Sequence, residues 1–218
     1  VVAALLYLEN SSHMEMPEHP DNTEEMPVVV ARSIAMLVST HGGSASDMFS
    51  ILDVMDMIKE RTCDIETIGI GKVMSAGVPI LAAGTPGKRA VGRNCRIMLH
   101  NVMAGTGGTI FSMENELEEI KWVQERYIET LANYTKLTPS KIKKLLKTQK
   151  DVYISAEEAI KMGIADQIIQ NLGDRRFLRQ HRTRHIGAHH QLPMLARVGQ
   201  ALANRAGHFL GQVRQIKS

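Results

Sequence analysis

Three times along this chain a short apolar run ends in a turn and gives way to a segment with apolar residues at helical spacing. That alternation constrains the fold more than any other feature. In the first unit VVV at 28–30 and IAMLVST at 34–40 are closed by Gly42-Gly43, a break that glycines make at little cost. Met48, Ile51, Leu52, Met55 and Ile58 then follow the i, i+3, i+4, i+7 pattern of an amphipathic helix from Ser46 onward. In the second unit IETIGIG at 65–71 predicts a short buried strand, and SAGVPILAAG at 75–84 predicts a helix beginning at Ser75. That start follows from Pro79, because a proline is tolerated only near the first turn, where N–H groups have no helical partner. In the third, RIMLH at 96–100 is a strand ending at His100, followed by the Gly-rich AGTGG at 104–108. A long helix from near Ser112 to Asn133 comes next, with Leu117, Ile120, Val123, Ile128 and Leu131 as apolar positions; read plainly the helix is core, Trp122, Tyr127 and Leu131 included. A helical segment at 139–148, the run DVYIS, and SAEEAIKMG with Ser155 as cap and Gly163 as stop complete the series. Strands alternating with helices predict an α/β fold with a mainly parallel sheet.

The 218 residues, 44% hydrophobic and 22% charged, suit one globular domain and exclude disorder, collagen or coiled coil as a description of the whole. No apolar run approaches the roughly 18 residues of a membrane span, so no membrane association is expected. Two cysteines, Cys63 and Cys95, are too few for a disulfide framework. Reduced thiols and a cytoplasmic setting are expected. Val1 to Glu9 reads as the end of a helix whose upstream sequence is missing, and the acidic, Pro-containing stretch 10–25 as an exposed loop. The net charge of +3 conceals an asymmetry: from Asp174 to Ser218 nine Lys/Arg face one acid, which leaves residues 1–173 at −5. The basic, His-rich tail is thus compositionally separate from the body.

Consecutive strand–helix units with right-handed crossovers bring the C-terminal ends of their strands to one sheet edge. Gly43, Ser75 and His100 all stand at such ends. A serine becomes a nucleophile when a base, an orienting group for that base and oxyanion donors surround it. Ser75 offers the hydroxyl, His100 is the candidate base, and the amides of Gly43 and Ala76 are candidate oxyanion donors. Each residue also has a plainer reading: Ser75 as a helix cap, His100 as a polar strand terminus, Gly42-Gly43 as a turn. The G-x-S-x-G nucleophile elbow is not matched, since Val73 stands two before Ser75. Spacing alone leaves nucleophilic catalysis open.

The run IGIGKVMSAGVPILAAGTPGKR, followed 25 residues after Ser75 by RIMLHNVMAGTGG, closely resembles the proteolytic subunits of the caseinolytic Clp proteases, the ClpP family. THGGSASDMFSILDVMDMIK upstream and DVYISAEEAIKMGIADQII downstream resemble the same family in order, so the likeness spans about residues 1–169. The resemblance implies a ClpP/crotonase-like fold with a protruding handle helix, and a serine endopeptidase acting on unfolded polypeptides or short peptides. Carried over residue by residue, it implies Ser75 as nucleophile, His100 as base and Asp151 as the orienting aspartate, with Gly43 and Ala76 as the oxyanion hole. It further implies that Gly105, Thr106, Gly107, Gly108 and Thr109 form a strand lying beside extended substrate, and that the helix at 114–133 is the handle. Two stacked seven-membered rings would enclose a chamber fed by an AAA+ unfoldase. No nucleotide motif of the form G-x-x-x-x-G-K-[ST] is present, so ATP dependence would lie with that partner, and no cofactor or metal is expected for the subunit.

The sequence departs from the family in three places. The segment before Val1, which would form the axial loops that meet the unfoldase, is missing. The turn reads THGGS where bacterial housekeeping forms usually have SPGGS, and the acidic stretch at 10–25 is an insertion. The turn and the insertion together suggest a divergent, phage-type member, with capsid maturation as a variant of the function. The alternatives are a catalytically silent ring subunit and a crotonase-like acyl-CoA enzyme, which would use carboxylates for proton transfer. Residues 170–218 lie beyond the resemblance. Leu195, Val198, Leu202, Ala206, Phe209, Val213 and Ile216 at spacings of three and four predict a basic amphipathic helix, through which alone nucleic acid could be met. His189-His190 among arginines makes a poor metal site.

Overall fold

The computed structural model describes residues 1–16, 28–147, 150–169 and 184–185. Its elements in chain order are α1 (Val2–Asn10), β1 (His13–Met16), β2 (Val28–Ala31), β3 (Ile34–Thr40), α2 (Ala45–Arg61), β4 (Ile65–Met74), α3 (Gly77–Ala82), β5 (Arg89–Gly92), β6 (Arg96–Leu99), α4 (Ile110–Tyr134), α5 (Pro139–Leu146), β7 (Val152–Ile154), α6 (Ala156–Met162), β8 (Gln167–Ile169) and β9 (Arg184–His185). The chain forms two compact units: Val1–Glu15 with Val30–Arg184, and Met16–Val29 with His185–Ser218. Of the second, residues 16, 28, 29 and 185 are described. Most of the acidic stretch, the tail helix expected at 195–216 and His189-His190 lie outside the described residues.

The first unit holds a six-stranded sheet in the order β7-β6-β4-β5-β8, with β3 also paired to β4. All of its pairings are parallel except β6 with β7. β4 is its axis. Residues 67–69 pair with β5 and residues 72–74 with β6, while β3 runs alongside from Ile34 opposite Ile65 to Thr40 opposite Val73. The core is what the apolar pattern requires: Met48, Leu52, Met55 and Ile58 of α2 are buried, with Ile65 and Val73 of β4, Ile97 and Leu99 of β6, and Leu131 of α4. Ser44 caps α2 by accepting from the Asp47 amide. Ser155 and Glu158 form a reciprocal capping box at the start of α6, and Gly163 ends it in the left-handed conformation.

Four expectations are corrected. Gly69 and Gly71 read as the end of a strand, yet β4 continues through Lys72-Val73-Met74, so α3 begins at Gly77 rather than Ser75. Pro79 still falls in the first turn of α3. Residues 13–16, read as loop, form β1; the chain just before it is tied by the Arg32 amide donating to the Ser12 carbonyl (3.0 Å). The segment Gly105–Thr109 is not a strand in the single chain, because its backbone pairs with no other strand among the described residues. Instead Thr106 donates to Glu116 and Thr109 caps α4. Finally, only the second half of α4 is core. Tyr127, Ile128 and Leu131 are buried, whereas Phe111 is 79% and Trp122 55% exposed. The first half of this 25-residue helix therefore projects from the sheet-bearing body.

Arg89 clasps the far side of the sheet. Its guanidinium donates to both carboxylate oxygens of Asp166 (2.9 and 2.6 Å) and to the carbonyls of Ala82 and Tyr134. Asp166 also accepts from the Gly87 and Arg89 amides. Burial raises the Asp166 pKa, but the Arg89 side chain and these amides outweigh it and hold the group below its ordinary value of 3.8. A depressed carboxylate stabilises the fold above its unfolded pKa and loses that contribution as pH falls through the folded value. Asp166→Asn is accordingly expected to cost roughly 3 kcal/mol near neutral pH, the lower end for a broken buried pair because Asp166 is partly solvated. Its thermal midpoint should converge on that of the wild type as pH drops below about 4. Thermal melts from pH 7 to pH 3 check both.

Cys63 and Cys95 are free and buried, and burial, the largest cause for each, pushes both thiols up to about 11. Thiolate is the reactive species. Neither cysteine is expected to react with a thiol-specific reagent at pH 8 until the chain is unfolded, when two equivalents should be consumed.

Candidate active site

The sheet order places three of the singled-out residues on three neighbouring strands. Ser75 directly follows β4, His100 directly follows β6, and Asp151 directly precedes β7. β4 and β6 run parallel with Met74 opposite Met98, and the Ser75 amide continues the ladder by donating to the Met98 carbonyl at 2.8 Å. β6 and β7 run antiparallel with Leu99 opposite Val152. One step further along that register, His100 stands opposite Asp151. Residues up to 76 positions apart in sequence thus stand at one end of three neighbouring strands.

Ser75 is the one non-glycine residue at positive φ among the described residues, at 52°. Left-handed backbone is unfavourable for an L-residue with a Cβ and persists where surrounding structure enforces it. Three contacts enforce it here: the ladder bond to Met98, the Val78 amide donating to the Ser75 carbonyl at 2.9 Å, and the Tyr127 hydroxyl donating to the same carbonyl at 3.4 Å. Burial holds the Tyr127 phenol well above its ordinary range, so it stays a neutral donor. Ser75 is not the cap of α3, whose N-cap is Ala76 without a side-chain bond. The Ser75 hydroxyl is half-buried and has no hydrogen-bond partner among the described residues. A sharp strand-to-helix turn therefore exists without the G-x-S-x-G sequence.

The turn after β3 closes over this serine. The Gly42 amide donates to Thr40 Oγ1 at 3.0 Å, and Gly42 has φ 102°. A Cβ added to Gly42 would lie 2.6 Å from Ser75 Cβ, and one added to Gly77 would lie 2.3 Å from Thr40 Cγ2. Sequence reasoning passed over Gly42 in favour of its neighbour; the signal for it was the Gly-Gly pair itself. Gly43 is exposed with open space where a Cβ would stand. Among the described residues neither the Gly43 nor the Ala76 amide donates to another group, so both N–H groups are available beside Ser75.

His100 is half-buried, and its Nδ1 faces the Asn101 carbonyl. A carbonyl only accepts, so Nδ1 carries a proton, and in the neutral imidazole Nε2 keeps its lone pair. Asn101 is in turn anchored to the Leu146 carbonyl of α5, and the Val102 amide to Gln124 of α4. Asp151 is exposed and borders a groove lined by Leu137, Lys141, Lys144, Leu145, Val152 and Met162. Direct hydrogen bonds between Ser75 and His100, and between His100 and Asp151, are not formed in the single chain. Of the Gly105–Thr109 segment all five residues are exposed.

A mixed, mainly parallel α/β sheet with a projecting helix and a constrained serine beside two free amides defines a protein of the ClpP/crotonase fold class. Comparison with known sequences narrows this: residues 29–172 match the Clp protease family, and the chain belongs to that family. It is 34% identical over 138 residues to the ATP-dependent Clp protease proteolytic subunit 2 of Corynebacterium jeikeium, covering 63% of this chain and 64% of that one. The proteolytic subunits 1 of Corynebacterium glutamicum and Corynebacterium efficiens are 35% and 34% identical over the same shares. The chain therefore spans about 64% of the length of the curated relatives it matches.

Proposed function

We propose that this chain is a serine endopeptidase subunit that cleaves unfolded polypeptides or short peptides. Ser75 is its nucleophile, His100 its base, Asp151 its orienting carboxylate, and the Gly43 and Ala76 amides its oxyanion donors. The observation that carries this reading is the enforced positive φ of Ser75 at the β4–α3 turn, between two undonated amides and one strand away from a histidine with a free Nε2. In the reaction Nε2 takes the hydroxyl proton as Oγ attacks the scissile carbonyl, the two amides bind the oxyanion, and the imidazolium then protonates the leaving amine. Water repeats the sequence on the acyl-enzyme and releases the acid.

The relatives carry the words "ATP-dependent" and "proteolytic subunit" in their names, which supports assembly into stacked rings fed by an AAA+ unfoldase. The projecting α4 with exposed Ile110, Phe111 and Trp122 supports a ring-to-ring handle, and Gly105–Thr109, unpaired in one chain, would gain a strand partner there and lie beside substrate. Buried reduced thiols support a cytoplasmic setting. A second reading, a silent ring subunit, is favoured by one observation: His100 Nδ1 is occupied by the Asn101 carbonyl and not by Asp151. Hydrolysis of a fluorogenic peptide, measured across size-exclusion fractions, separates the two. Turnover confined to the large assembly supports the peptidase. An assembled ring without turnover would establish the silent subunit.

A further inference from the structure

The turn beside Ser75 carries a histidine, His41, which is exposed and in hydrogen-bond contact with Lys72 of β4. An ammonium only donates, so His41 Nε2 accepts. His41 is bonded to Gly42, whose backbone abuts Ser75, and Lys72 stands three residues before Ser75, so the pair lies at the edge of the candidate site. Lys72 is also directly opposite Arg96 in the β4–β6 register, which sets the two side chains on one face of the sheet. That face is open: Arg96 is exposed and rests over the ring of Tyr153, itself 48% exposed, at 5.5 Å. The opposite face, with Val73, Ile97 and Ile154, is buried. Neither Lys72 nor Arg96 has a carboxylate partner among the described residues. Two cations on a body of net negative charge therefore stand without a carboxylate partner among the described residues, one three residues before Ser75 and the other paired to it on the next strand.

We infer that His41, Lys72 and Arg96 form a specificity rim that selects peptides with an aspartate or glutamate close to the scissile bond. This rests on the peptidase reading of Ser75. His41 holds the Lys72 ammonium at the turn, and a substrate carboxylate there would be met by Lys72 and by the neighbouring Arg96. Two cations facing one substrate carboxylate discriminate by about tenfold in kcat/KM. The preference should weaken as salt screens it.

The test is a matched set of fluorogenic peptides in which one residue, walked from three before to three after the cleavage point, is Asp, Ala or Lys. The assembled wild type should cleave one Asp-bearing series about tenfold better than its Ala counterpart and the Lys series less well still, with the ratio shrinking at high salt. In Lys72→Gln the Asp:Ala ratio should fall toward one, and Lys72→Glu should favour the Lys series. Arg96→Gln, at an exposed position, supplies the same readout should the Lys72 variants fail to fold. Equal cleavage of all three series by the wild type would overturn the rim while leaving the peptidase intact. Cleavage of none by an assembled ring would overturn both.

Discussion

In Ser75→Ala, hydrolysis of a short peptide is expected to fall at least about 10³-fold, with fold and assembly retained. The expectation comes from the strand order. Ser75, His100 and Asp151 are brought to one end of β4, β6 and β7, and on the proposed mechanism losing the hydroxyl removes the attacking atom while leaving the Gly43 and Ala76 amides in place. The residual rate would be what those amides and substrate binding supply alone. Loss of one hydroxyl that has no hydrogen-bond partner among the described residues should barely move the thermal midpoint. Catalysis and stability are thus separable at this residue, which makes the mutant informative. Full activity in Ser75→Ala would sink the assignment.

Gly42→Ala should do the opposite and damage both. At φ 102° a side chain is strained, and the new Cβ would sit 2.6 Å from Ser75 Cβ and 3.0 Å from the Met74 carbonyl, neither of which is a flexible chain end. Strain of this kind costs about 1–3 kcal/mol. The Gly42–Ser75 contact is relieved only by moving the serine or the amide of Gly43, and a displacement near 1 Å at a reacting group costs about 10²-fold in rate. Circular dichroism melts with peptide kinetics on the same samples check the pair of effects. Gly43→Ala, with open space at its Cβ, should leave the midpoint nearly unchanged. Equal stability of the two variants would contradict the packing of the turn on Ser75.

The alternation of apolar runs and helical spacing made the α/β class legible, because burial on both faces of a parallel sheet and on one face of each helix dictates those periods. What periodicity could not show was where β4 ends. Gly69 and Gly71 look like punctuation, but tertiary pairing to β3 and β6 carries the strand on through Met74. The consequence falls on Ser75, which reads locally as a helix cap and is instead a constrained turn residue with a free hydroxyl. The convergence of His100 and Asp151 was likewise out of reach of spacing, since 51 residues separate them and only the antiparallel β6–β7 register makes them opposite. Thr106 and Thr109 bond within the loop and to the start of α4, a local competition that the Gly-rich sequence invites and that a strand partner would have to displace. Trp122 shows the limit of reading every apolar residue of a helix as core: nine residues before Leu131, it falls on the opposite side of α4 from that buried position and is 55% exposed, with Phe49 edge-on to its ring and the Arg126 guanidinium 5.8 Å from the ring centre.

The central claim is that Ser75 is an activated nucleophile, and the most direct measurement is fluorophosphonate labelling of the assembled wild-type chain followed by peptide mapping. A single phosphonyl adduct on Ser75, absent in Ser75→Ala and suppressed in His100→Ala, is the predicted result. An assembled ring that takes up no label, or takes it up at a residue other than Ser75, would contradict it.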